Sequence, residues 1–378
     1  MADIHVFDPA PEGTPVANFV HLHVHSDYSL LDSCAKLDNL IAKAKRLNMP
    51  ALALTDHGNM FGVLNFEHIC HANGINPIVG EEFYVAYGSH LEKNDVPYSH
   101  KGEDGDRHAH YFHLILLCEN ETGYKNMSWL SSIAYTEGLY YGKPRIDYEL
   151  LEKYHEGLIC LSACIAGELP QLLLAGKDDD AKELALKYKN LFGPDRYYIE
   201  IQDHGLEDQK FVNKKLIALA KELDIPIVAT NDIHYVEKED AEAQDCLRCI
   251  GFKKIMTEPH QTMGGDGNCN WYFKTEQEMR SLFPENQEAF DNTIKIANMC
   301  NLTIHQYKTQ ELKDCLPRFE LPKEFQTHGD DYKQNQDDYV RYIVEEGLKK
   351  RYKEITPEIR ERAEYELGII FKIYYWIR

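Results

Sequence analysis

The chain has 378 residues, 43% of them hydrophobic, and a formal net charge of −21 at pH 7. That length is enough for a full core and suggests two or three domains. The negative balance argues against a broadly basic nucleic-acid surface, but leaves room for a local basic groove or for divalent cations that bring positive charge to a site. No apolar stretch approaches the roughly 20 residues needed to span a bilayer, residues 1–17 carry no signal-peptide core, and the ten cysteines lack a framework spacing. A cytoplasmic chain with reduced thiols and no membrane contact is expected.

In chain order, residues 1–18 read as a loose extension. Phe19–His25 (FVHLHVH) is the first apolar run with strand character, and Leu37, Leu40, Ile41, Ala44 and Leu47 then recur at helical spacing. Further strand-like runs are Ala51–His57 (ALALTDH), Pro77–Glu82 (PIVGEE, running on into FYVA), Tyr111–Cys118 (YFHLILLC), Leu158–Cys164 (LICLSAC), Tyr197–His204 (YYIEIQDH) and Ile227–His234 (IVATNDIH). A polar, Gly- and His-bearing stretch, Tyr87–Ala109, reads as an insertion at the rim. Phe211, Leu216, Leu219, Ala220 and Leu223 again have helical spacing. Beyond Tyr235 the alternation stops: Glu239–Ile250 and Thr275–Asn301 read as helices around a Gly-rich loop, Gly264–Asn270, and Leu316–Asp331 reads as a connector before a charged helical stretch, Asp338–Arg378.

Strands alternating with helices, and apolar nearly throughout, imply parallel strands covered on both faces. The economical architecture is an α/β fold, a (β/α) barrel of seven strands over residues 19–270, followed by a helix-rich piece, 271–378. In such barrels chemistry sits where strands run out into loops.

These runs carry polar residues. His23 and His25 lie two apart on one strand and so share a face; Asp232 and His234 repeat that spacing, His57 ends the second run, and Glu82, His113 and Cys164 are assigned to the ends of three more. A lone histidine is more often a satisfied core or surface residue than a ligand. Gathering this many ionisable groups without metal would cost several kcal/mol, so a metal cluster is expected. Imidazole, carboxylate and thiolate together suit Zn, Mn or Fe better than Ca or Mg. A cluster of such ions activates water and stabilises a leaving oxygen, which makes phosphoester hydrolysis the leading chemistry. Other motifs weigh less. Cys246 and Cys249 form a C-x-x-C within a helical pattern and read as buried helix cysteines; Gly264–Gly267 lacks the Lys-Ser or Lys-Thr of a phosphate loop; Lys349–Arg351 is interleaved with glutamates and reads as a solvated face.

The stretches FVHLHVHSDYSLLDS, PALALTDHGNMFGVLNF, INPIVGEEFYVA, HLILLCENETGYKN, GLICLSACIAGELPQ, IEIQDHG and ATNDIHY resemble the N-terminal part of the bacterial replicative DNA polymerase III α-subunit family, beginning with its polymerase-and-histidinol-phosphatase (PHP) domain. The resemblance continues through WYFKTEQEMRSLF, LPRFELP and RAEYELGIIFK, to residue 372. It implies a distorted seven-stranded barrel with three divalent metals on His23, His25, Asp32, His57, Glu82, His113, Cys164, Asp232 and His234, with Asp232, His234 and His57 as metal-site groups of the reaction. Asp32 enters only through the resemblance, and Asp27 and Glu81 compete with Asp32 and Glu82 on spacing. Residues 271–378 would begin the polymerase palm, whose Mg-binding aspartates are expected beyond this chain, and Ile373–Arg378 does not continue as the family would. Expected partners are a DNA primer-template, the remainder of the α subunit and a proofreading exonuclease subunit. A 3′–5′ exonuclease is the expected activity; the alternatives are a metal-stabilised scaffold that docks the polymerase core or the exonuclease subunit, and a stand-alone histidinol-phosphatase-like enzyme.

Overall fold

A computed structural model of the chain describes residues 5–96, 110–258, 270–304, 319–329 and 331–376. The apolar runs form strands β1 (Ala51–Leu54), β2 (Asn76–Val85), β3 (Phe112–Cys118), β4 (Arg145–Ile146), β5 (Leu158–Leu161), β6 (Tyr197–Ile201) and β7 (Ile227–Ala229). Among them lie helices α1 (Leu37–Arg46), α2 (Val63–Ala72), α3 (Glu121–Thr136), α4 (Tyr148–Tyr154), α5 (Glu168–Leu174), α6 (Asp178–Phe192) and α7 (Glu207–Leu223). Polar residues start two of them: Asn120 and Asp147 accept the amides of Gly123 and Leu150 and so satisfy otherwise unpaired donors of α3 and α4.

The seven strands form one curled sheet in the order β1-β2-β3-β5-β6-β7, with β4 paired to β2 off this path. Two expectations need correction. First, the sheet is not all parallel: β3 runs antiparallel to both β2 and β5, because it enters at the end where β2 leaves, with Val85 opposite Phe112. His113 therefore starts its strand instead of ending it, and the reversal is what brings it to the rim reached by the C-terminal ends of the parallel strands. Cys118, which does end β3, lies at the opposite pole with its Sγ 3.5 Å from Met127 Sδ.

Second, Phe19–His25 builds no ladder and makes a single bridge, Val24 to Ile233. It still occupies a strand's place. On one side the amides of Ala53 and Thr55 donate to His21 O and Val24 O at 3.0 and 2.8 Å; on the other, His25 N donates to Ile233 O at 2.8 Å and Ile233 N to His23 O at 3.2 Å. The segment thus bridges the two open edges of the sheet. The seventh ladder strand is instead the two-residue β4, for which the sequence carries no strand signal.

Alternation along each strand divides the core in two. Leu52, Leu54, Val79, Leu116, Cys160 and Ile199 pack outward among helix residues such as Leu40, Ile41, Phe66, Leu130 and Leu216. Ala51, Ala53, Ile78, Ile115, Leu117, Ile159, Leu161 and Val228 face inward, where they meet Ile296, Ala297 and Cys300. These last three lie on or beside α10 (Glu288–Met299), which follows α8 (Ala241–Phe252) and α9 (Glu276–Leu282). One compact unit runs from Met1 to Ile304.

The second unit, His305–Arg378, contains helices Tyr332–Arg351 and Pro357–Trp376, tied by ion pairs Arg341–Glu364 and Arg360–Glu345. Its Lys349 pairs with Glu346, in keeping with a solvated face. Among the described residues no helix is long and apolar enough to cross a membrane.

Candidate metal centre

The rim of the sheet collects polar side chains from seven separate segments. His23 and His25 come from the bridging segment, Asp32 from the loop after it, His57 from the end of β1, Glu82 from β2, His113 from β3, Cys164 from beyond β5, and Asp232 and His234 from beyond β7. Positions two apart point the same way, so Nε2 of His23 and Nε2 of His25 lie 3.2 Å apart. Both face Asp232 Oδ1, each at 3.1 Å, and His234 Nδ1 is 3.5 Å from the same oxygen.

Glu82 is the hub. Its Oε1 is 2.8 Å from His113 Nδ1 and 3.3 Å from His23 Nε2; its Oε2 is 3.6 Å from His25 Nε2 and also touches His57 Nδ1. Asp32 Oδ2 lies 2.8 Å from His57 Nε2 and 3.8 Å from His234 Nε2, and Cys164 Sγ lies 3.7 Å from His113 Nδ1. All nine residues singled out from the sequence thus converge. Three sets have donor atoms close enough together to hold an ion: His25, His57 and His234; His23, His25 and Asp232; His57, Glu82 and His113.

The donor atoms are poorly satisfied by one another. His23, His25 and Glu82 are fully buried, and Glu82 Oε2, Asp232 Oδ1 and His57 Nδ1 face only other members of the cluster, with no hydrogen bond of regular geometry. Buried carboxylate oxygens facing imidazole nitrogens at these distances without hydrogen-bond geometry are what a cation-binding cluster requires, and leaving them so would otherwise be costly. Nitrogen, oxygen and sulfur donors at one rim fit transition-metal ions.

Protonation in the absence of cations follows the same geometry. Burial pushes His25 down to about 3, helped by His57 and His234, so its imidazole is neutral and able to ligate. Burial works against charge on His57 too, but Glu82 and Asp32 outweigh it and raise that group to about 10. His23 is likewise raised against burial by Asp232 and Glu200. Burial alone would raise Glu82 and Asp232, yet His113 and His57 hold the first, and His23 and His234 the second, well below the usual carboxylate range. Burial, then Asp232 and Glu82, push the Cys164 thiol up. Protons shared in this way stand where cations would displace them.

Surrounding residues aim the donors. Glu200 is buried on β6, and its Oε1 accepts from His23 Nδ1 at 2.7 Å and from Gln202 Nε2 at 2.9 Å, with Thr230 Oγ1 also donating to it. Ser29 Oγ donates to Asp56 Oδ1 at 2.6 Å and lies 3.1 Å from His25 Nδ1, turning that ring too. Arg248 on α8 donates to Asp32 Oδ1 at 2.5 Å. Asp232 itself, Ala163 beside Cys164 and Leu31 beside Asp32 all have left-handed backbones, φ 48°, 64° and 62°. Strain of this kind persists where surrounding packing over-determines it, often at sites.

Sequence reasoning passed over Glu200, Ser29 and Arg248. The available signal for Glu200 was a lone carboxylate inside an apolar strand, YYIEI. Of the competing carboxylates, Glu81 is buried on the other face of β2, where burial raises its carboxyl well above normal, and Asp27 is exposed. Cys246 and Cys249 take no part in the three donor sets; Cys249 is buried as expected but Cys246 is exposed, correcting that half of the reading. Gly264–Gly267 and residues 97–109 of the insertion lie outside the described residues.

The donors open onto a cleft of about 1100 Å³, walled by Tyr84, Tyr141, Lys143, Phe61, Tyr135 and Arg248. A family model described as "PHP domain" matches residues 21–204. The DNA polymerase III subunit alpha of Treponema pallidum (strain Nichols) is 47% identical over 356 residues, which is 94% of this chain and 28% of that protein. Its counterpart in Borreliella burgdorferi is 44% identical over 94% of this chain and 29% of its own length, and that of Thermus aquaticus 42% identical over 88% and 26%. The chain thus spans between a quarter and a third of the length of these relatives.

Proposed function

Because the chain carries a PHP domain and corresponds to the N-terminal portion of the bacterial DNA polymerase III α subunits, we propose that its rim binds divalent cations and hydrolyses phosphodiester bonds at the 3′ end of a DNA strand. The observation that carries this reading is the convergence of nine donor residues, Glu82 and Asp232 among them, with carboxylate oxygens that have no partner outside the cluster.

In this reading His23, His25 and Asp232 hold one ion, His57, Glu82 and His113 a second, and His234 with Asp32 completes a third; Cys164 joins His113. Zn, Mn or Fe fits this donor set. Bound there, such ions supply an activated water and neutralise charge on the phosphate and the leaving oxygen. The protein's own part is positional. Glu200 and Ser29 fix the Nδ1 atoms of His23 and His25 so that both Nε2 atoms face the cluster, and Arg248 restrains Asp32.

By the same correspondence the substrate is a DNA primer-template strand, and the remainder of an α subunit and a proofreading exonuclease subunit are the partners. Polymerisation, with its own Mg ions, belongs in this reading to the whole α subunit. The complete burial of His23, His25 and Glu82 favours a second reading, in which the cations staple the fold and no bond is broken. Metal analysis of the purified chain, with a nuclease assay on a 3′-mismatched primer, separates the two. Hydrolysis from the 3′ end that is lost in chelator and restored by Mn or Zn supports the enzyme; full metal occupancy with an intact primer supports the staple.

A further inference from the structure

Among the described residues, Lys143 and Arg248 are the basic side chains that line the cleft beside the donor cluster, and they differ in what they are bound to. Arg248 is committed to Asp32. Lys143, among the described residues, makes no ion pair: its Nζ donates to Tyr84 Oη at 3.0 Å and lies 4.7 Å from the centre of the Tyr84 ring. That ring in turn stands 5.4 Å from His113 and 6.1 Å from His57, so the ammonium sits one aromatic ring away from the donors.

The loop that presents Lys143 is built to hold its shape. Tyr140 and Lys143 exchange backbone hydrogen bonds at 3.0 and 2.9 Å. Behind them the side chain of Arg145, 1% exposed, donates to the carbonyls of Gly138, His90 and Glu92 at 3.1, 3.2 and 2.8 Å, with its guanidinium over the Tyr140 ring at 4.6 Å. Gly138 is required here, since a Cβ at that position would lie 1.9 Å from Arg145 O. A preorganised ammonium with donors to spare, lining the same cleft as the donor cluster and one ring away from it, is suited to a ligand that carries negative charge.

The mouth of the cleft adds a second feature. Phe61, Tyr135 and Tyr141 line it and are 62%, 43% and 68% exposed. Aromatic faces beside a cation are the recurring surface for single-stranded nucleic acid, because every base has a face to stack and every linkage a phosphate.

We propose that Lys143 is a phosphate-binding residue of this cleft, holding a non-bridging oxygen of a phosphodiester in a single strand while the neighbouring linkage meets the donor cluster. The proposal rests on the phosphodiesterase reading above and names the residue that would position its substrate.

The test is fluorescence anisotropy of a labelled thymidine hexamer on the Zn-loaded 378-residue chain, compared with Lys143→Met and Lys143→Arg, with inorganic phosphate as a competing probe and hexamer hydrolysis followed separately. Methionine keeps the stem over Tyr84, and metal content and thermal melting check that each variant is loaded and folded. Lys143→Met is expected to weaken hexamer binding about ten-fold or more and to flatten its salt dependence by about 0.7 in log–log slope, while Lys143→Arg retains most of the affinity. Equal affinity and equal salt slope in wild type and Lys143→Met would overturn the assignment, as would a wild-type chain that does not bind the hexamer. Inorganic phosphate that binds as tightly as the hexamer would overturn its extension to a strand. Hydrolysis by wild type with Lys143-independent binding removes Lys143 and leaves the enzyme standing; Lys143-dependent binding without hydrolysis does the reverse.

Discussion

Oε1 of Glu200 lies 2.7 Å from Nδ1 of His23 with both side chains fully buried, so the ring is turned to present Nε2 to Asp232 and Glu82. An ionised carboxylate can only accept, which places the proton on Nδ1 and leaves the Nε2 lone pair for a cation. Replacing Glu200 by Gln keeps the shape but removes the charge that fixes this tautomer. Metal affinity should fall by about 10–100-fold, measured by competition with a calibrated chelator. Unaltered affinity in Glu200→Gln would show that the contact does not orient a ligand.

Asp232 offers one oxygen to three imidazoles, from His23, His25 and His234, at 3.1–3.5 Å. Asp232→Asn should therefore lower metal content by more than the Glu200 change does, and thermal stability in saturating metal should drop with it, since ions that bind only the folded chain stabilise it. Elemental analysis after gel filtration checks the first part and melting with and without metal the second. A metal content equal to wild type removes Asp232 from the ligand set.

His204 is buried, with Nε2 2.8 Å from Asn231 O, Nδ1 2.8 Å from Gln209 Nε2, and its ring stacked 4.3 Å from Trp271. Burial pushes this group down to about 4, while in the unfolded chain it titrates near 6.5. Between those values the unfolded chain takes up a proton that the folded one refuses. The stability this confers is full above about pH 6.5 and is lost as pH falls toward 4, on the order of 3 kcal/mol in all. Urea unfolding at pH 7 and pH 4.5 should show a shallower acid loss in His204→Gln than in wild type; parallel losses would contradict the linkage.

The Arg145 side chain makes its hydrogen bonds to backbone carbonyls, those of Gly138, His90, Glu92 and His110, within buried surroundings. Arg145→Met fills the space of the stem but takes the side-chain donors from His90 O and Glu92 O, while Gly138 O keeps the amide of residue 145, and should cost about 2–4 kcal/mol in denaturant unfolding. Because the same contacts frame the loop of Lys143, hexamer binding should weaken even with metal content intact. A change below about 0.5 kcal/mol would place this network among ordinary surface effects.

Much of this protein is determined by its sequence alone. Most of the β-branched and leucine-rich runs became strands, the three-and-four spacing at Leu37–Ala44 and Leu216–Ala220 became amphipathic helices, and His23 and His25 share a face because side chains two apart on extended backbone must, whereas Asp232, left-handed at φ 48°, meets His234 by a local turn of the chain. These are local properties, set by residues within a turn or a few strand positions of each other. Tertiary structure alone decided the rest. It reversed β3, so that His113 reaches the rim from the start of its strand, and it laid Phe19–His25 between β1 and the segment after β7 without a regular ladder. It turned Glu82 into the cluster and Glu81 away from it, a choice that depends on which face of β2 meets the interior and not on either residue. It also brought Glu200 to His23, Arg248 to Asp32 and the Lys143 loop to the cleft, across separations of more than a hundred residues for the first two. Strand direction and facing are set by which edges close on one another, an interaction between distant segments that no local window of sequence contains.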